Sequence, residues 1–418
     1  MKVVGVIAEY NPFHKGHLYH LNKIKKSFKP DAIIVILSGN FVQRGEPAIF
    51  DKWARAEMAL HGGADLVIEL PVCFSTATAE IFAESAVKLL SDTQVVNTLS
   101  FGLEEIHYNE LLFLGKLLAK EPEHLKTTIN ECLSKGMSFP AAREKAIIKF
   151  ILENHKEMNI QLISAMLKKP NFILAVEYVK AINKLGVDLS ILPILRKGQD
   201  YHNKNLTGEY ASASGIRQSF LYTRELNDDI IKYLPLSTQE IIKRRLNNYN
   251  VPVFLQDYEL ILLYMLRRMS SQELRSFFDI EEGLENRIKK AVKNSGSLKQ
   301  LIAQIKTKRY PETRIQRILI HILLNIPKEM LNSRTSPYVR VLGFSQVGSI
   351  ILKKIKKKIS LPIITRASDY KKLNSYAKSF FEKDLLSSDI YNLAYSNPAL
   401  RIGSSDFLKK VVYLNPSK

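Results

Sequence analysis

Four short runs, over 3–7, 32–37, 66–70 and 98–101, are apolar at nearly every position and show no polar face. That is the pattern of parallel strands covered on both sides. Between them, 17–27, 52–61 and 78–90 set apolar residues three and four apart among charged ones, as amphipathic helices do. Strands alternating with helices predict a βαβ succession and an α/β fold with a parallel sheet. From 105 to about 167 the alternation stops, and Leu111, Leu112, Leu114, Leu117 and Leu118 mark a helical insertion. The strand pattern resumes over 188–195. Residues from about 225 to 350 read as successive helices with little strand signal, and Leu361-Pro362-Ile363-Ile364-Thr365 as one late strand. The expected organisation is an α/β domain over 1–224, with the insertion inside it, and a mainly helical region over 225–418. No internal repeat is visible, and no low-complexity tract beyond one lysine run.

The first strand runs straight into the richest chemistry of the chain. Ile7-Ala8-Glu9-Tyr10-Asn11-Pro12-Phe13-His14-Lys15-Gly16-His17-Leu18-Tyr19-His20 ends the strand at Asn11-Pro12 and opens a helix near Gly16, with Leu18, Leu21 and Ile24 on its apolar face. A helix opening leaves backbone N–H groups without partners, which suits an anion. His14 and His17 can put two N–H donors on one phosphate, and the missing side chain of Gly16 permits close approach. Ser212, Ser214 and Arg217 open a later helix in a second pattern of the same kind, with hydroxyls, free N–H groups and a guanidinium. Gly102 follows a strand end, where it is either a turn glycine or a bare surface for a purine ring. Arg44 is a candidate to neutralise a carboxylate. Asp51 is a candidate to fix Arg55 or to meet an acceptor base, and Lys52 and Glu57 belong either to that site or to an exposed ion-paired helix face.

Composition then narrows the partners. The 418 residues carry a net charge of +20, and residues 301–418 hold 22 Lys and Arg against 7 Asp and Glu, whereas residues 1–300 hold 39 against 34. This asymmetry, interleaved with Tyr310, Tyr338, Tyr370 and Tyr376, points to a polyanion with unstacked bases, or to a merely solvated basic face. No run reaches eighteen apolar residues, and the chain opens directly on a core strand, so neither a membrane span nor a signal peptide is expected and the cytoplasm is the expected location. Cys73 and Cys132 read as buried free thiols, which excludes a disulfide framework and a zinc site.

Tyr10-Asn11-Pro12-Phe13-His14-Lys15-Gly16-His17 resembles the first signature of the HIGH-superfamily nucleotidylyltransferases, with Tyr10 in the place of a Phe. Leu37 to Ala48, Phe50 to Ala59, Ser100-Phe101-Gly102, Lys169-Pro170-Asn171, Ile194-Leu195-Arg196 and Ala394 to Arg401 make the likeness more specific: the chain resembles the bacterial tRNA(Met) cytidine acetate ligases over nearly its whole length. The resemblance implies a Rossmann-like core and ATP with Mg²⁺. It implies acetate activated as acetyl-adenylate, and acetyl transfer to the wobble cytidine of elongator tRNA(Met). It further implies ATP contacts along Ile7 to His20 and at Gly102, Asn171, Arg196, Ser212 and Ser214, with His14, His17, Asp51 and Arg217 as catalytic candidates. The family usually continues Pro-Asn-Asn-Ile-Leu-Gly where this chain has Pro170-Asn171-Phe172-Ile173-Leu174-Ala175, so only Asn171 is carried over. Two other readings remain: adenylyl transfer to a small phosphorylated metabolite, which needs no basic appendage, and non-catalytic RNA binding, which needs no paired histidines. Oligomeric state and the exact acyl group are left open by the sequence.

Overall fold

The structure is a computed structural model that describes residues 1–197, 210–248, 251–281 and 283–415. The first half reads β1 (Val3–Ala8), α1 (Lys15–Phe28), β2 (Ala32–Ser38), a small hairpin β3 (Phe41–Val42) and β4 (Glu46–Pro47), α2 (Lys52–His61), β5 (Leu66–Leu70), α3 (Val72–Ser75), α4 (Ala79–Asp92) and β6 (Thr98–Leu103). Five helices follow, α5 (Tyr108–Lys120), α6 (Glu123–Ser134), α7 (Phe139–Asn154), α8 (Ile160–Met166) and α9 (Pro170–Leu185), and then β7 (Ser190–Leu195). The helical insertion therefore extends to Leu185. Beyond it lie α10 (Ala213–Thr223), α11 (Asp228–Ile231), α12 (Leu236–Asn247), α13 (Glu259–Arg268), α14 (Ser271–Leu274), α15 (Leu284–Lys293), α16 (Leu298–Ile305) and α17 (Glu312–Leu323). The chain closes with β8 (Val339–Ser345), α18 (Gln346–Lys358), β9 (Ile363–Ile364), α19 (Ser375–Asn392) and β10 (Val412–Leu414).

One sheet runs through both halves in the order β10-β8-β5-β2-β1-β6-β7, with β9 also on β8. All its pairs are parallel except β5 with β8. The first-half strands carry side chains that are buried almost throughout, as continuous apolar runs require. The late strand over 361–365 appears as β9, but the sheet is not confined to the first 224 residues: β8 was not legible as a strand because Arg340 interrupts its apolar run. The structure buries that arginine at 2% exposure.

Arg340 is buried because it is paired. Lys52 Nζ lies 2.9 and 3.1 Å from the two Glu69 oxygens and 2.8 Å from Asp406 Oδ2. Arg340 reaches Asp406 Oδ2 at 2.8 Å and Glu69 Oε2 at 3.2 Å. Trp53 Nε1 and Ser388 Oγ donate to the same Asp406 carboxylate. Two cations and two carboxylates, none more than 2% exposed, thus join α2 and β5 to β8 and the chain's last segment. Lys52 is no part of an exposed face, whereas Glu57 does pair near the surface, with Arg244 at 2.5 Å. Beside the cluster, Asp384 takes N–H from Val72 and O–H from Tyr338, and burial together with the Glu69 charge pushes its carboxyl up to about 7.

Helix α18 packs directly on the start of β5. Ser345 caps it through the Gly348 N–H at 3.1 Å, and a Cβ on Gly348 would stand 1.8 Å from the Asp65 carbonyl oxygen. Gly348→Ala is therefore expected to lower the unfolding free energy by about 1–3 kcal/mol, the usual range for overpacking. Urea titration of the full chain measures it, and an unchanged midpoint would mean that α18 can shift off the strand without loss.

Candidate functional site

Helix α1 begins at the carboxyl edge of β1 and is capped by its own histidines. His14 Nδ1 accepts from the Gly16 N–H at 3.0 Å, and His17 Nδ1 accepts from the His14 N–H at 3.3 Å. A backbone N–H can only donate, so both Nδ1 atoms are unprotonated and each neutral ring carries its proton on Nε2. The rings stack with centroids 3.7 Å apart, and Tyr10, at φ 46°, packs on His17 at 4.8 Å. Burial, reinforced by Arg196 and Arg217, pulls the His14 imidazole down to about 3. His17 is likewise held well below its ordinary value, by burial first and then by His14, Arg196 and His20. His14 Nε2 is buried with no hydrogen-bond partner among the described residues. A buried N–H without an acceptor costs free energy that a ligand oxygen would recover.

His20 completes a triplet along the same helix. Ser100 Oγ donates to the Leu192 carbonyl at 2.8 Å, tying β6 to β7, and so accepts from His20 Nε2 at 3.0 Å. Burial and Arg196 lower this imidazole to about 4. The three rings face a cleft of about 520 Å³ lined also by Gly16, Tyr19, Gly102, Arg196, Lys197, Ala211 and Ser212. Ser212 caps α10 through the Gly215 N–H at 3.1 Å, aiming a second helix opening at the same space. Among the described residues no carboxylate lines the cleft. N–H donors, two cations and two helix openings around one void form an anion site at the carboxyl ends of parallel strands. A Cβ on Gly102 would come within 3.0 Å of the Arg196 stem, so the bare backbone there keeps the wall flat.

The other candidates fall around this cleft. Ile7 and Ala8 end β1, and Phe13 packs beneath Gly62, where a Cβ would meet its ring. Glu9 accepts from the Gln43 N–H at 3.0 Å, while its carbonyl takes Arg55 Nη1 at 2.7 Å. Asn11 Oδ1 takes the Ile49 N–H at 2.8 Å, and Arg217 Nη1 donates to the Asn11 carbonyl at 3.1 Å with Glu46 Oε2 3.9 Å from its Nε. Arg217 thus braces the turn that carries the histidines. Lys15 donates its N–H to the Tyr233 carbonyl, and Pro12, Leu18 and Ser214 stand on the turn and on the two helix openings without lining the void. Asn171 lies off the cleft wall, its amide 2.5 Å from Glu104, two residues past Gly102.

Asp51 lies outside the histidine cleft and lines another, of about 630 Å³, with Asn40, Trp53 and Tyr395. It caps α2 through the Ala54 N–H at 2.7 Å and pairs with Arg245 at 3.3 Å. Burial works against its charge, but Arg245, Lys409, the Ala54 N–H and Arg55 outweigh it and hold the carboxyl below the usual range. A carboxylate held ionised in this way is an anionic anchor and a poor proton acceptor. Sequence reasoning missed Lys197, which follows Arg196 off β7 and lies 5.3 Å over the Tyr19 ring. Its signal was its place one residue beyond a strand end that already carried a candidate. Both cysteines are buried and unpaired. Among the described residues no group of three His, Cys, Asp or Glu could hold a metal ion, and no helix is long and apolar enough to cross a membrane.

Comparison with known proteins gives concordant results. A family model described as HIGH Nucleotidyl Transferase matches residues 1–406. The tRNA(Met) cytidine acetate ligase of Thermoanaerobacter sp. (strain X514) is 45% identical over 415 residues, 99% of this chain and 100% of that protein. The ligase of Acetivibrio thermocellus is 40% identical over 422 residues, with 99% and 100% covered. The crystal structure of apo Thermotoga maritima TmcAL matches with a TM-score of 0.95 at 34% identity, and its complex with alpha-thio ATP with 0.93 at 35%, each covering 99% of this chain and 100% of that one.

Proposed function

The chain belongs to the HIGH nucleotidyl transferase family and, within it, to the tRNA(Met) cytidine acetate ligases, and from that premise we propose how its residues divide the work. The reaction has two steps. An acetate oxygen attacks the α-phosphate of ATP, forming acetyl-adenylate and releasing pyrophosphate. The exocyclic amine of the wobble cytidine of elongator tRNA(Met) then attacks the acetyl carbon, losing a proton as AMP leaves. The observation that carries this reading is the pair of neutral imidazoles with their Nε2–H groups on one void, His14 Nε2 being buried and without a partner among the described residues.

The α-phosphate gains negative charge on its equatorial oxygens as the acetate arrives, and fixed N–H donors that need no reorientation stabilise it. His14 and His17 supply those donors. Arg196 and Lys197 balance charge across the cleft, and the openings of α1 and α10 take the outer phosphates, with Ser212 and Ser214 at the second. Gly102 leaves room for the adenine, and Arg217 keeps the Asn11 turn in register. With no carboxylate on its wall among the described residues, the cleft fits a triphosphate and not a bare cation. Mg²⁺ would arrive on the nucleotide, where it would neutralise charge on the departing pyrophosphate. The second half of the chain, with its basic excess, takes the tRNA.

The test is incubation of the full chain with ATP, Mg²⁺, labelled acetate and unmodified tRNA(Met), without acetyl-CoA, followed by nucleoside mass analysis. Acetylcytidine that requires both ATP and acetate is the expected product. Adenylyl transfer to a metabolite, or nucleotide binding without turnover, would overturn the reading.

A further inference from the structure

Another cleft, of about 1440 Å³, lies away from the histidines, between α18, the turn after β9 and the segment before β10. Among the described residues five cations line it, Lys353 and Lys356 from α18, Arg366, and Lys409 and Lys410, and no carboxylate does. Phe344 and Phe407 contribute apolar wall, and Leu408 stands 72% exposed at its edge. Cations crowded into one groove beside aromatic rings suit a phosphodiester chain whose bases are unstacked. Leu408 and Lys409 also line the Asp51 cleft, so residues 408 and 409 are the common wall of two adjoining hollows.

The Asp51 cleft has a different chemistry. It is lined by Trp53 and Tyr395, by Asn40 and Asn392, and by the Asp51 carboxylate, which Arg245, Lys409 and a backbone N–H keep ionised. The Asp406 carboxylate at its floor is already engaged by Lys52, Arg340, Trp53 and Ser388. Asp406 thus accepts from four groups, whereas Asp51 accepts from two, the Ala54 N–H and Arg245, and keeps lone pairs for an incoming amine. Cytosine and adenine carry an exocyclic amine, and uracil does not.

We propose that the two clefts form one track for a single-stranded stretch of RNA, with phosphates in the basic groove and one unstacked, amine-bearing nucleoside across the 408–409 wall in the Asp51 cleft. This rests on the reading that the substrate is an RNA and adds where and how the RNA lies. Lys353, Lys356 and Lys410 provide affinity without sequence preference. Asp51 and the two aromatic residues select the base.

Two measurements on the full chain test it. In the first, binding of unmodified tRNA(Met) is titrated at several salt concentrations for the wild type, for the triple variant Lys353→Gln, Lys356→Gln, Lys410→Gln, and for a control of equal charge loss on the helical insertion, Lys116→Gln, Lys120→Gln, Lys126→Gln. The groove variant is expected to bind about tenfold more weakly at low salt and to lose about two from the salt slope, some 0.7 per phosphate contact. The control should behave as the wild type. Equal weakening in both variants, or in neither, overturns the track. A wild type that binds no tRNA overturns the proposed function itself. In the second, Trp53, the only tryptophan of the chain, serves as an internal probe. Excited at 295 nm, its emission is expected to change on addition of a short single-stranded oligonucleotide rich in C and to change less with one rich in U. Asp51→Asn should remove that difference, and the control on the helical insertion should keep it. No change at saturating oligonucleotide, or equal responses to C and U, overturns the nucleoside cleft.

Discussion

His17→Ala is expected to reduce acetate-dependent adenylate formation by about 10²–10³-fold, the cost of removing one preorganised donor from a developing oxyanion. His17 accepts the His14 N–H and stacks on the His14 ring, so the substitution also unfastens the capping pair and loosens the second donor. His17→Asn tests the division, because an amide can cap the turn and still offer an N–H. It should recover the folded helix opening and a fraction of the rate. Pyrophosphate exchange in the presence of acetate reads the step directly, and a His17→Ala chain of normal rate would remove the histidines from the mechanism. The pH behaviour distinguishes neutral donors from imidazolium. With His14 held at about 3 by burial and Arg196, and His20 at about 4, the rings stay neutral through the working range, and the rate should show no inflection near 6.5 that belongs to them. Stability follows with a definite sign. The unfolded chain takes up these protons near pH 6.5 and the folded chain does not, so the stabilisation is complete above about 6.5 and is lost as pH falls toward 4. Denaturant midpoints measured between pH 7.5 and 5 should fall in that direction, and less steeply in His14→Asn.

Lys52→Met is expected to destabilise the chain by about 3–5 kcal/mol, because it leaves Glu69 and Asp406 in the interior with Arg340 as the one remaining cation of the cluster. The loss should not be local. Glu69 stands on β5 and Asp406 in the last segment of the chain, so an uncompensated charge there pushes β8 and that segment away from the first-half strands. Adding Glu69→Gln to Lys52→Met removes the surplus charge and should restore part of the stability. Chemical denaturation of the two variants settles it: a Lys52→Met chain within 1 kcal/mol of the wild type would mean that the cluster does not hold the halves together.

The helix opening at His14 was legible in the sequence because its chemistry is local. A strand, a turn that ends it, and capping groups two and three residues apart lie within fifteen positions, and their geometry follows from backbone bonds that any such stretch must make. The strands β1, β2, β5 and β6 were legible for a similar reason, since each is buried on both faces and shows as an unbroken apolar run. The basic excess of residues 301–418 needed only counting.

What the sequence withheld depends on partners hundreds of positions away. Arg340 reads as a break in an apolar run until Asp406 and Glu69 surround it, and only then is β8 a central strand. Lys52 reads either as a site residue or as part of an exposed ion-paired face until the same carboxylates enclose it. Asp51 is a candidate for the histidine site until the fold sets it on another cleft, where it caps α2 and pairs with Arg245. The sequence by itself determined the strand-turn-helix unit, its paired imidazole donors and the sign of the charge that the far end attracts, since those depend on neighbours and on sums. Only the tertiary structure decided which charges are buried and which clefts adjoin, because desolvation and pairing are properties of the assembled interior and have no signature along the chain.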